Sequence, residues 1–188
     1  MDDTTDSEFK EKELIWLKEG IQLMAANGLA NFRIDDLSRL TGKAKTSFYL
    51  FFNSREEFLV RLAQYWEFHY TDAYLLEVSS ISDPMRRLEK LIELVYPNMK
   101  EELIWVYFKE GAISIPEIDS IVERAESKRV DVFCRILQDM DYPFEVANQK
   151  AKVFVYFFFG WSILNQDKGT RSEKIEQFKK VAFDLLMD

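Results

Sequence analysis

Apolar residues at Leu14, Leu17, Ile21, Met24 and Ala25 recur at helical spacing from Glu11 to Asn27. This period predicts an amphipathic helix, which Asn27-Gly28 ends with a residue that tolerates positive φ. A short second helix is expected over 35–40, with Asp35 and Asp36 in the first turn, where negative charge suits the helix dipole. Thr41-Gly42 stops it, and a third short helix is expected over 45–52. Asn53-Ser54 then provides an N-cap for a fourth helix over 54–77, whose stripe is Phe58, Leu59, Leu62, Tyr65 and Trp66. Residues 79–84 read as a linker, and Asp83-Pro84 opens a helix that runs to the break at Tyr96-Pro97. Further helices are expected over 98–112, 116–140, 144–165 and 172–187. The fold class is all-α.

Composition agrees with that pattern. Six glycines and four prolines in 188 residues leave few interruptions, and 47% hydrophobic content is enough to bury a substantial core. Residues 1–10 are polar and acidic with one aromatic, Phe9, and are expected to form a disordered tail. The single cysteine, Cys134, has no internal disulfide partner and reads as a core residue, while His69, the one histidine, has no metal-ligand partner at useful spacing. Neither metal nor cofactor is expected, and no nucleophile motif or phosphate loop suggests an enzyme. The chain opens on no secretory leader, and its longest apolar run, 153–164, is too short to span a bilayer. The expectation is a cytoplasmic protein with no membrane segment.

The net charge of −8 argues against a polyanionic partner only if it is spread evenly. It is not. Between Asn31 and Arg55 stand Arg33, Arg39, Lys43, Lys45 and Arg55 against Asp35 and Asp36, a local excess of three positive charges. The same window has the layout of a helix-turn-helix: two short helices, a glycine at the turn, and small polar residues opening the second helix. Leu37, Leu40, Ala44, Phe48 and Phe52 are expected to face inward. Lys45, Thr46 and Ser47 would meet phosphates and base edges, with Tyr49 and Leu50 facing outward. Arg55 is placed to grip the backbone, and Arg33 and Lys43 add further candidate contacts.

Asn27-Gly28, Ile34-Asp35-Asp36-Leu37, Thr41-Gly42, Lys45-Thr46-Ser47-Phe48-Tyr49, Phe52 and Ser54-Arg55-Glu56 together resemble the signature of the TetR/AcrR family of transcriptional regulators. The resemblance covers about residues 11–60. It implies a three-helix DNA-binding head over 11–56, joined by helix four to an effector-binding and dimerising body over 57–188. It also implies a homodimer on double-stranded DNA, usually a ligand-responsive repressor. Arg33 departs from the family's usual capping threonine, Lys43 and Ala44 from an apolar residue and a capping serine, Thr46 from glycine and Phe51 from histidine. Each lost cap costs about 1 kcal/mol.

In the body, residues 153–164 are apolar on every side, more than a single bundle covers, which points to a second chain. Val155, Phe159 and Ile163, with Ile175, Phe178, Ala182 and Leu185 of the last helix, are the expected interface; packing within one chain is the alternative. Trp105, Phe108, Phe133, Phe154, Phe158 and Trp161 are candidates to line a pocket for an apolar or aromatic effector, or else form an ordinary core. Lys109 and Glu110 face either that cavity or solvent. An all-helical sensor or adaptor that no longer binds DNA is the alternative function, and a small helical enzyme a more distant one.

Overall fold

The computed structural model describes residues 9–164 and 171–187. Helices α1 (Glu11–Asn27), α2 (Ile34–Thr41), α3 (Lys45–Phe48) and α4 (Arg55–Glu67) come first. A π-helical turn (Phe68–Asp72) continues directly into α5 (Ala73–Ser79). After these come α6 (Pro84–Val95), a 3-10 turn (Tyr96–Asn98), α7 (Met99–Glu102), α8 (Ile104–Ala112), α9 (Pro116–Gln138), α10 (Phe144–Leu164) and α11 (Arg171–Met187). Among the described residues there is no strand, and no helix is long and apolar enough to cross a membrane.

Two compact units are present: residues 1–73 with 104–123, and residues 74–103 with 124–188. The first is larger than the 11–56 head expected from sequence, because α4, α8 and the start of α9 belong to it. Its centre is aromatic. Phe48 is fully buried, with ring centroids 5.5 Å from Trp16, 5.0 Å from Phe52 and 5.2 Å from Phe58. Gly20 lets α1 approach α4 closely: a Cβ there would lie 2.8 Å from the Phe58 ring.

Phe9 corrects the expected tail. Its ring is buried against Tyr65 and Phe68, with the Arg61 guanidinium 4.3 Å above it, so order begins before α1. Residues 1–8 of that expectation lie outside the described residues, as does Asn165 at the end of the expected helix 144–165. Leu40 is a second correction, being 53% exposed, and Ala44 is exposed too. A step of four from Leu37 returns to the same helix face more closely than a step of three. Thr41 takes the inward place, its Oγ1 donating to the Leu37 carbonyl at 3.0 Å.

In the second unit Asp83 caps α6, accepting from the Arg86 amide at 2.7 Å, with Pro84 at the first helical position, as the sequence predicts. The single helix expected over 98–112 is instead broken at Leu103, between α7 and α8. Phe178 is the hub, within 6.0 Å, ring to ring, of Tyr96, Phe154, Phe157, Phe158 and Trp161. A buried ion pair joins α7 to α9: Glu102 has no exposed surface, and Arg129 Nη2 lies 2.8 Å from its carboxylate. The guanidinium also lies over the Phe159 ring. Cys134 is a buried free thiol whose pKa is raised chiefly by that burial.

Candidate nucleic-acid interface

The turn between α2 and α3 is set by backbone bonds. Gly42 adopts the left-handed conformation (φ 65°), its amide donating to the Arg39 carbonyl while the Lys43 amide donates to that of Ser38. This is the Schellman arrangement, and the Thr41 hydroxyl adds to it, accepting from the Lys43 amide at 3.4 Å. Arg33 and Ala44, the N-cap residues of α2 and α3, make no side-chain capping bond. By contrast Ser54 Oγ accepts from the Glu57 amide at 3.0 Å, and the Glu57 carboxylate accepts from the Asn53 amide at 2.9 Å, a reciprocal lock at the start of α4.

Regular α3 is only four residues long, shorter than the expected 45–52. Beyond Phe48 the chain continues as turns, with the Phe51 and Phe52 amides both donating to the Phe48 carbonyl. Lys43, Lys45, Thr46, Tyr49 and Leu50 are exposed, Leu50 at 79%, while Ser47 is half-buried beside them. Arg33 is exposed at the start of α2.

The charge of this surface is partly spoken for. Lys45 Nζ lies 2.8 Å from Asp35, which ties the first turn of α3 to the first turn of α2. The pair holds Asp35 below its ordinary carboxylate range and raises the Lys45 ammonium, in each case first through their hydrogen bond and then through charge. Asp36 similarly engages Arg39. Arg55 does not reach outward: its guanidinium donates to the carbonyls of Phe32 (3.4 Å) and Leu29 (3.3 Å), bracing the loop between α1 and α2. Sequence reasoning missed all three attachments. Asp35 and Lys45 are ten residues apart on different helices, and no periodicity links them.

The other sites fall as follows. Trp105 and Phe108 belong to the first unit, where Phe108 is buried against Trp66 at 5.8 Å. Phe133, Phe154, Phe158 and Trp161 belong to the second, where Phe133 and Phe154 meet at 4.3 Å and Phe158 and Trp161 pack on Phe178. Phe108, Phe133, Phe154 and Phe158 are buried, while Trp105 and Trp161 are half-buried. Lys109 reaches toward Asp119 at 3.9 Å, and Glu110 is exposed. Of the expected interface residues, Val155, Phe159, Phe178 and Ala182 are buried inside their own chain and have little surface to offer another. Ile163 is 50% exposed and Ile175 half-buried; the Leu185 side chain lies outside the described residues. The uncovered face of α10 is instead Val153, Tyr156, Gly160, Ile163 and Leu164.

No family model matches the chain. A TetR-family transcriptional regulator from Agrobacterium tumefaciens superposes with a TM-score of 0.78 at 16% identity, over 94% of this chain and 96% of its own. The chain has the TetR fold. The same TetR architecture is found in a TetR transcription regulator from Haloarcula marismortui (TM-score 0.75, 13% identity, 95% and 98% of the two chains). It recurs in a Saccharomonospora viridis protein described as a transcriptional regulator and solved with choline (TM-score 0.77, 19% identity, 90% and 94%). A curated Bacillus subtilis protein, the uncharacterized HTH-type transcriptional regulator YuxN, is 25% identical over 123 residues, 64% of this chain. That match spans 41% of the relative's length.

Proposed function

We propose that the chain is a DNA-binding transcriptional regulator that acts as a ligand-responsive homodimer, with repression as its mode. The observation that carries this reading is the Gly42-closed helix-turn-helix, which leaves Lys43, Lys45, Thr46, Tyr49 and Leu50 exposed together on one short segment of a TetR fold. Lys43, Lys45 and the Tyr49 hydroxyl serve phosphates, with Arg33 beside them. Thr46, Ser47 and Leu50 offer a hydroxyl or methyl groups to base edges, thymine methyls included. Arg55 is left out of this set, because its guanidinium is held within the head by the Phe32 and Leu29 carbonyls.

Replacing Lys45 and Tyr49 together with alanine is expected to weaken binding to specific and random duplexes alike. Loss of the Lys45 contact should also lower the salt slope by about 1. Gel shifts on DNA flanking the chain's own gene, repeated across salt concentrations, check this. Unchanged affinity would remove both residues from the interface.

Dimerisation is assigned to the open face of α10. Val153, Tyr156, Gly160, Ile163 and Leu164 follow helical spacing, and a Cβ at Gly160 would meet nothing within 4 Å, leaving room for another backbone to come close. A charge at Ile163 (Ile163→Asp) is expected to raise the dimer dissociation constant by about tenfold or more. Sedimentation that finds the unmodified chain monomeric at micromolar concentration would count against the assignment.

A further inference from the structure

The second unit contains an open groove whose lining is charged and aliphatic rather than aromatic. It encloses about 350 Å³ and is lined by Leu75, Val78 and Ser79 of α5, Arg87 of α6, and Lys128, Asp131, Val132 and Arg135 of α9. That volume suits a small organic molecule. Its walls follow from helical spacing: Leu75, Val78 and Ser79 are separated by three and four residues, as are Lys128, Asp131, Val132 and Arg135, so each set shares one face.

Three cations meet one carboxylate in this lining, on a protein whose net charge is −8. Arg87 is fixed before any ligand arrives. Its guanidinium donates to the Ile81 carbonyl at 2.9 Å and the Ser82 carbonyl at 3.4 Å, and pairs with Asp139 at 2.7 Å. Arg135 is exposed and forms no ion pair among the described residues. Between the charges, Leu75 and Val132 are half-buried and give an apolar floor, backed by the fully buried Val78.

We propose that this groove binds a small amphiphilic anion, a short-chain carboxylate, with its charge at Arg135 and Lys128 and its hydrocarbon on Leu75 and Val132. The anion gains charge-assisted hydrogen bonds and the tail leaves water. Neither end alone would fill the site. Such a ligand touches α5, the direct continuation of the helix that Ser54 caps in the head. That places it where it can favour one state of the chain over another, as long as the two states bind it unequally. The effect on DNA rests on the regulator reading above; the binding does not.

Calorimetric titration of the full chain in the absence of DNA separates the two. With hexanoate as the probe, saturable binding is expected, about tenfold or more tighter than for hexan-1-ol, which has the same tail without the charge. Lys128→Gln combined with Arg135→Gln should weaken hexanoate by about tenfold or more. Both changes lie at least partly in solvent, so the fold should tolerate them, and a thermal melt checks this. Val132→Phe, which keeps the charges and fills the floor, should weaken it similarly. Absent saturable binding, equal affinity for the alcohol, or unchanged affinity in both variants would each overturn the proposal. Hexanoate binding that leaves DNA affinity unaltered would uphold the site and count against ligand-responsive regulation.

Discussion

Phe48→Ala is expected to cost about 3–5 kcal/mol, the range for deleting a buried aromatic side chain. Phe48 sits at the centre of the first unit, with no exposed surface and with Trp16, Phe52 and Phe58 around it. Alanine would leave a void that these rings close only by moving. Because α3 has four regular residues and no side-chain N-cap, it has little helical stability of its own. Phe48 is its anchor, so the same change should abolish DNA binding. Urea denaturation followed by far-UV circular dichroism measures the first effect. Phe51→Ala is the control, since Phe51 is half-buried and touches Phe52 only at 6.4 Å; its cost should stay below about 1 kcal/mol. Equal losses for the two variants would refute the anchoring role.

The second large effect depends on pH. Burial pushes the Glu102 carboxyl up from 4.5 to about 7, against the pull of Arg129, while Glu101 adds a smaller upward push. The folded chain therefore holds this proton more tightly than the unfolded chain does. The stability it contributes is fully present below about pH 4.5 and is lost as pH rises through about 7. The total swing is about 3 kcal/mol. Glu102→Gln retains the shape of the protonated acid but cannot ionise. It should match the unmodified protein near pH 4.5 and exceed it by up to about 3 kcal/mol above pH 8. A stability difference that stays constant across urea titrations at these pH values would contradict this account. Arg129→Met should steepen the loss, since the ionised carboxylate would then stand alone in the core.

Much of the fold could be read in the sequence because its signals are local. Asp83-Pro84, Ser54 and Gly42 act on residues within four positions, and each ends or begins a helix as expected. What stayed hidden depended on distant partners. Phe9 resembles a stray aromatic in an acidic tail until Tyr65 and Phe68 cover it. Arg55 has the charge of a phosphate contact, and only the fold shows that carbonyls more than twenty residues away use it. The uncovered face of α10 is hidden for a related reason: when a helix is apolar all round, periodicity cannot say which side is covered. Lys128 and Arg135 carry no local signal of a site, because the groove takes its other walls from α5 and α6.

The π-helical turn at Phe68–Asp72 shifts the phase of the helix that contains it. Five residues of α-helix turn a side chain about 140° away from its starting face, yet Trp66 and Thr71, five apart, are both buried, and the Ala73 amide reaches back five residues to the Phe68 carbonyl. One residue has in effect been slipped into the spiral. The apolar stripe that runs from Phe58 to Trp66 therefore cannot be extrapolated past Glu67: beyond that point a wheel drawn at 3.6 residues per turn points each side chain in the wrong direction by roughly one residue's rotation, about 100°.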